Sequence, residues 1–178
     1  PWFLATALHP NATSAPGRLS DTLALRDVAR EGEAVVIGMG DVGMPTRLLA
    51  TRFGSRWTYG GKGVAPGQVP STRMLRQLRF RTVGDQTRLY GVVGNDVMHL
   101  LSPAMHNAAF GAAGLDAVCV PLRAANFEDF LTFADALGIV GAGVGTPFEQ
   151  DALRASVRSD DATRRAGIAN TVRRDADG

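Results

Sequence analysis

"YGVVGNDVMHLLSPAMHNAAFG", residues 90–111, sets the architecture of this chain. An apolar run that ends in glycine gives way to a polar loop, and Ser-Pro then opens an amphipathic helix. That is the pattern of a strand feeding a helix, and a strand apolar on both faces belongs to a buried, mostly parallel sheet. The pattern continues downstream. "DAVCVPL" predicts a second strand, Asn126 followed by Glu128 and Asp129 has the side chains a helix start favours, and Gly138 closes "FEDFLTFADAL". "IVGAGVG" predicts a third strand, Thr146 with Pro147 a further helix start, and Gly167 the end of a short helix before the strand "ANTV". Ser102 stands at the first of these helix starts, where a hydroxyl caps the helix, meets a ligand, or does both.

Upstream, the same alternation is written in different residues. "FLATAL" predicts a strand, and "RLSDTLALRDVARE" a helix with Leu19, Leu23 and Val28 near one face. "EAVVIGMG" predicts a buried strand, and "MPTRLLATRFG" a helix with Pro45 in its first turn and Gly54 at its stop. "TRMLRQLR" predicts a helix capped by Ser71 or Thr72. The polar stretch "RFRTVGDQTR", 79–88, reads as a linker. The expected organisation is therefore a first domain over 1–80, a linker over 81–88 and a second domain over 89–178. About three β/α units in the first domain leave open sheet edges, because barrel closure takes about eight strands.

With 178 residues, 45% apolar content and a net charge of +2, the chain can bury a sizeable core. Its pI near 9.2 comes from arginines scattered singly, among them Arg47, Arg52, Arg56, Arg88, Arg154 and Arg158, which argues against a nucleic-acid partner. No apolar run is long enough to cross a bilayer and the first residues carry no secretory signal, so no membrane partner is expected and "NAT" at 11–13 is no glycosylation site. Both ends, "PWFLATAL" and "RRDADG", look cut. Cys119, the only cysteine, reads as a small buried hydrophobe in a reducing, cytoplasmic setting. His9, His99 and His106 have no metal-ligand spacing, so no metal is expected.

Gly38, Gly40 and Gly43 form a G-x-G-x-x-G pattern between strand and helix, the context of a dinucleotide fingerprint. No Asp or Glu lies between Asp41 and Asp85 to hold a ribose, and Pro45 fits poorly at a helix start beneath a pyrophosphate. The glycines therefore read as a strand end and its loop. Those of "VGAGVG", 140–145, read as close backbone packing.

Two resemblances converge on these elements. "VVIGMGDVGMPTRLL…FGSRWTYGGKGVAPGQVPSTRML", 35–75, resembles the carboxyl-terminal part of type I 3-dehydroquinate dehydratases, through "APGQ" at 65–68 and Arg47 upstream of it. "GVVGNDVMHLLSPAMHNAAF", "GVGTPFE" and "AGIANT", covering 91–171, resemble the substrate-binding domain of shikimate dehydrogenases. The implied fold is α/β: the last strands and helices of a β/α barrel, then a three-layer αβα substrate-binding domain with a mostly parallel sheet. The order resembles the bifunctional shikimate-pathway enzymes, which dehydrate 3-dehydroquinate to 3-dehydroshikimate and reduce that to shikimate with NADP.

The resemblance implies substrate-binding roles for Ser102 and Asn170 in the second domain, with Thr146 as a neighbouring candidate. In the first it implies such roles for Arg47 and Gln68. A hydroxyl beside free amides at a helix start is a sound carboxylate cradle. Departures fall on the positions that carry the chemistry. The dehydrogenase lysine is Glu149, a carboxylate-binding serine is Leu100, and the Asn and Thr of the N-V-T segment are Gly143 and Gly145. The best match for the Schiff-base lysine is Phe3, and the serine before A-P-G-Q is Val64. Lys62 is the sole lysine against 18 arginines, and arginine does not readily form a Schiff base. The expectation is a catalytically degenerate portion of a shikimate-pathway protein, inactive alone. Its partners would be the carboxylates shikimate, 3-dehydroshikimate and 3-dehydroquinate, and NADP would bind the full-length parent and not this chain. The alternative is a non-catalytic binding or regulatory module for quinate- or shikimate-like ligands.

Overall fold

The computed structural model describes residues 11–30, 34–61, 63 and 65–175. Strands β1 (Asn11–Ser14) and β2 (Val35–Gly38) pair in parallel, from Asn11 opposite Val35 to Ser14 opposite Gly38. A second sheet holds β3 (Arg88–Gly94), β4 (Ala117–Arg123), β5 (Ile139–Val144) and β6 (Thr171–Arg173) in the order β4-β3-β5-β6. β3 runs parallel to both neighbours, and β6 is antiparallel to β5. The chain is thus α/β with parallel-dominated sheets.

β2 through β5 are the apolar runs expected to be strands. β1 is not: Asn-Ala-Thr-Ser has no apolar or β-branched run, and it is a strand because the edge of β2 supplies partners for its backbone, which Ser14 O extends by accepting from Met39 N at 2.7 Å. The predicted strand "FLATAL", with Phe3, lies outside the described residues, as do Lys62, Val64 and His9.

The helices are α1 (Ala24–Arg30), α2 (Ser71–Arg76), α3 (Ser102–Ala112), α4 (Phe127–Leu137), α5 (Glu149–Ala155) and α6 (Asp161–Ala166). Single turns occupy Ser20–Leu23, Gly40–Gly43, Pro45–Leu48, Ala50–Phe53 and Phe80–Thr82. Asn126 caps α4 as its sequence predicts, its side chain accepting from Asp129 N at 2.8 Å, and Gly138 ends that helix at φ +69°. Three start signals differ. Pro70, not Ser71 or Thr72, precedes α2, and Leu101, not Ser102, occupies the cap position of α3; neither helix has a side-chain cap. Thr146–Pro147 is a cis bond, and α5 starts only at Glu149.

α3 covers one face of the large sheet, where Tyr90, Val92 and Cys119 meet Phe110 and Val97. α4 covers the other, where Leu89, Val93, Val118, Val120 and Leu122 join Phe130 and Phe133. That second cluster does not stop at the sheet. Leu19, Leu48, Leu49, Phe53 and Leu78 belong to it, and Phe53 and Phe133 rings stack 6.4 Å apart. The apolar side of the first region is buried against α4 and β4. The stretch expected to be a bare linker takes part: Thr87 is buried and donates to Asp116 Oδ1 at 2.8 Å.

Candidate functional site

The chain leaves β3 for β4 on one side and returns to β5 on the other. The sheet order therefore reverses between β3 and β5, whose carboxyl ends point the same way. In open α/β sheets that is where ligands sit. Three backbone bonds bring the flanking loops together there. Gly145 N donates to Val93 O at 2.8 Å, Asn95 N to Thr146 O at 3.4 Å, and Val144 N to Asn170 O at 2.8 Å. Because β6 is antiparallel, its entry at Asn170 lies beside the exit of β5.

Two predicted residues, Thr146 and Asn170, lie at this edge, and a third, Ser102, opens the helix that follows the loop leaving β3. Ser102, half-buried, is the first residue of α3. The first helical bond runs from Met105 N to Leu101 O, and Pro103 has no N–H, so the amides of Ser102 and Ala104 precede the ladder. With apolar Leu101 at the cap, no side chain consumes them. Thr146 is exposed and donates to Glu149 Oε1 at 2.9 Å. Asn170 is exposed, and its Oδ1 accepts from Thr171 Oγ1 at 3.2 Å. Glu149 is anchored twice, by Thr146 and by Ala169 N donating to its backbone oxygen at 2.9 Å. This edge thus presents hydroxyls, an amide side chain and a carboxylate. Gly143 and Gly145 are not sterically required: a Cβ at either meets nothing closer than 3.6 Å.

Arg47 and Gln68 gather elsewhere, around the turn that leaves β2. A Cβ on Gly43 would lie 2.2 Å from Gly38 C, and one on Gly67 would lie 2.1 Å from Gly40 O. Gly40 N also donates to Pro66 O at 3.1 Å. The glycine pattern is therefore packed closely against the chain's own backbone. Arg47 is only 2% exposed, its Nη2 donates to Met39 Sδ at 3.5 Å, and its Nε has no hydrogen-bond partner. Burial pushes this guanidinium below its ordinary pKa. No carboxylate pairs with it among the described residues. Gln68 folds back on its loop, accepting from Ala65 N at 3.2 Å.

Three polar residues outside the expected set proved more engaged. Asn107 is buried on α3; its Oδ1 accepts from Cys119 N at 2.8 Å, and its Nδ2 donates to Cys119 O at 2.8 Å and Gln77 O at 3.1 Å. The side chain pairs with edge strand β4 as another strand would. Asp129 is fully buried and accepts from Leu19 N, Ser20 N and Ala125 N at 2.8–2.9 Å, with Arg18 Nε 3.7 Å away. Burial pushes its carboxyl up, but bonds from the Ser20 side chain and those amides outweigh this and hold it below the usual carboxylate range. Arg73 donates to Met98 O at 2.7 Å, in the loop before Ser102. Asp129 reads in sequence as a helix-start acid, and nothing local marks its long-range partners. Burial pushes the Cys119 thiol up to about 12, which disfavours the reactive thiolate. His106 stacks on Phe110, centroids 6.3 Å apart, and His99 is exposed. A groove of about 970 Å³ lies between α4 and residues 155–160 and 171–175, and Ala169 and Thr171, which flank Asn170, line it. Among the described residues no cluster of His, Cys, Asp and Glu is placed to hold a metal, and no helix is long and apolar enough to cross a membrane.

Comparison with known proteins gives two matched regions. Residues 92–172 match the shikimate dehydrogenase substrate binding domain, and residues 13–85 match type I 3-dehydroquinase. Over 167 residues the chain is 30% identical to a chloroplastic bifunctional 3-dehydroquinate dehydratase/shikimate dehydrogenase of Arabidopsis thaliana, covering 90% of this chain and 28% of that protein. Over 95 residues it is 43% identical to a shikimate dehydrogenase (NADP(+)) of Anaeromyxobacter dehalogenans, 52% of this chain and 34% of the relative. A crystal structure of shikimate dehydrogenase from Aquifex aeolicus superposes with a TM-score of 0.50 at 31% identity, over 53% of this chain and 36% of its own. The chain thus spans 28% and 34% of the two curated relatives.

Proposed function

Because this chain joins part of the type I 3-dehydroquinase family to the substrate-binding domain of the shikimate dehydrogenase family, in the order of the bifunctional relative, we propose that its second domain, 89–178, binds a shikimate-type ring carboxylate. The ring carboxylate is received by the Ser102 hydroxyl and the free amides of the first turn of α3, and the ring hydroxyls by Thr146 and Asn170. What supports this reading is that Thr146 and Asn170 lie beside the carboxyl ends of β3 and β5, where the sheet order reverses, and that Ser102 opens the helix following β3.

The pathway role is that of the relatives, dehydration of 3-dehydroquinate and NADP-dependent reduction of 3-dehydroshikimate, with the present residues a degenerate portion of the apparatus. Glu149 stands where the dehydrogenase family has lysine, and it is held by Thr146. A carboxylate accepts a proton but repels an anionic ring acid and supplies no ammonium field. NADP of a longer parent is not assigned to the glycine turn, whose Gly40 is packed against residues 66–67. In the first domain, 1–80, Arg47 is a buried cation with no acid partner among the described residues, which suits a ligand carboxylate, and Gln68 flanks the same turn. A reducing, cytosol-like compartment suits the buried free thiol.

Glu149 in turn favours a second reading, a binding or regulatory module that keeps the grip and has given up the chemistry. Titration calorimetry with shikimate separates these ideas. Binding by the wild-type chain, weakened about tenfold by Ser102→Ala and tightened by Glu149→Lys, is the expected result. No heat with either the wild-type chain or Glu149→Lys overturns the ligand assignment. NADP-dependent turnover gained by Glu149→Lys in a longer chain favours an eroded enzyme, and tighter binding without turnover favours the module.

A further inference from the structure

Helix α3, whose first residue is Ser102, is held along its length by one short segment of the first region. Arg73 Nη2 donates to Met98 O at 2.7 Å, four residues before the helix. Gln77 O accepts from Asn107 Nδ2 at 3.1 Å, midway along it. Arg79 Nη2 donates to Leu115 O at 3.2 Å, beyond its end, and the same guanidinium lies over Gly111, where a Cβ would meet Nη1 at 2.6 Å. Residues 73–79 therefore run alongside residues 98–115 in the same direction. The loop between β3 and Ser102 has few anchors of its own. Val97 is its buried plug, whereas Leu100 and Leu101 are exposed, the latter at 81%. Among the described residues, the side-chain bond holding the loop backbone between that plug and Ser102 is the one Arg73 supplies.

We propose that residues 73–79 clamp α3, and that Arg73 is the positioning residue that keeps residues 98–102 in ligand-binding register. This rests on the reading of Ser102 as a carboxylate contact, and it gives the first region a task independent of dehydration chemistry: the second region's site is assembled on it. Without the Arg73 bond the loop is free to sample other arrangements, and a ligand must reorder it on binding.

The test uses the whole chain with Arg73→Ala, Arg73→Lys and the pair Arg73→Ala with Ser102→Ala. Arg73→Ala weakens shikimate binding about tenfold, the loss expected for one hydrogen bond from a charged donor, and Arg73→Lys recovers part of it. Amide exchange quickens at 98–102 and not in β4. If Arg73 acts through the loop, its effect shrinks in the Ser102→Ala background. Unchanged affinity in Arg73→Ala, or fully additive losses in the pair, overturns the proposal. If the wild-type chain binds no shikimate, the ligand reading falls, while unchanged exchange at 98–102 in Arg73→Ala separately overturns the clamp. Should Arg73→Ala not fold, Arg73→Gln carries the same measurements.

Discussion

The two regions handle the same α/β pattern differently. The second builds a four-stranded sheet with helices on both faces, exposes Thr146 and Asn170 beside the exits of its strands, and leaves Ser102 half-buried at a helix start. The first has two paired strands among its described residues, folds its glycine turn onto itself, and buries its candidate cation, Arg47. What the first region lacks in sheet it obtains from its neighbour, since its apolar side chains join the cluster beneath α4. Family matches divide the chain into two; packing joins it. The lesson is that a region with two paired strands among its described residues is packed by docking, and the docking surface is then constrained by both partners.

Asp129 is the largest lever on that contrast, because its carboxylate, on α4, satisfies two amides of the first region, Leu19 N and Ser20 N. Asp129→Ala leaves buried donors without acceptors and should cost about 4 kcal/mol, roughly 10 °C in unfolding midpoint for a chain of this size. Both tryptophans, Trp2 and Trp57, lie in the first region, so their fluorescence reports its unfolding alone. The expected outcome is that fluorescence and circular dichroism, coincident in the wild type, separate in the variant. Coincident curves at an unchanged midpoint break the docking account. The pH dependence follows from the same group. Its carboxyl titrates below the unfolded value of about 3.9, so its stabilisation is complete at neutral pH and is lost as pH falls below about 4. The alanine variant lacks that part of the acid-side loss.

How much of this was legible depended on whether the cause was local. Val35–Ile37 and Val118–Leu122 announce buried strands because their own side chains provide the burial, and Asn126, Gly54, Gly138 and Gly167 mark helix ends because cap geometry involves only near neighbours. β1 was invisible because polar Asn11–Ser14 becomes a strand only through β2. Ser102 was legible as a helix start but not as an uncapped one; that follows from Leu101 taking the cap position. Asp129, Asn107 and Arg73 have partners 110, 30 and 25 residues away, and no spacing rule reaches that far.

Gly43→Ala comes next in size and strikes the first region alone. Its Cβ would sit against Gly38 backbone, which cannot yield as a flexible side chain does, so a loss of about 3 kcal/mol is expected, read by tryptophan fluorescence. The contrasting change, Gly143→Ala, meets only Val92 Cγ2 at 3.9 Å and should leave stability nearly unchanged. Equal losses at the two sites contradict the distinction between a packed turn and an open edge. Asn107→Ala follows at about 2 kcal/mol, since it strands Cys119 N and O and Gln77 O. Its sharper signature is chemical. With the edge of β4 uncovered, the buried Cys119 thiol should react faster with a thiol reagent under native conditions, and an unchanged rate shows the edge covered by something other than Asn107.

The smallest effect belongs to an ion pair that joins the regions at the surface. Arg123, at the end of β4, lies 3.2 Å from Asp41 in the glycine turn, both side chains nearly half exposed. Solvent screens such pairs, so Arg123→Ala should cost about 0.5 kcal/mol or less, and less again at high salt. The value of the measurement lies beside Asp129→Ala. Both substitutions cut a polar link between the same two regions, one buried and one exposed, so the ratio of their effects measures how far burial governs the docking. A loss at Arg123 rivalling that at Asp129 would mean that surface charge holds the regions together, and would move the constraint from α4 to the turn after β2.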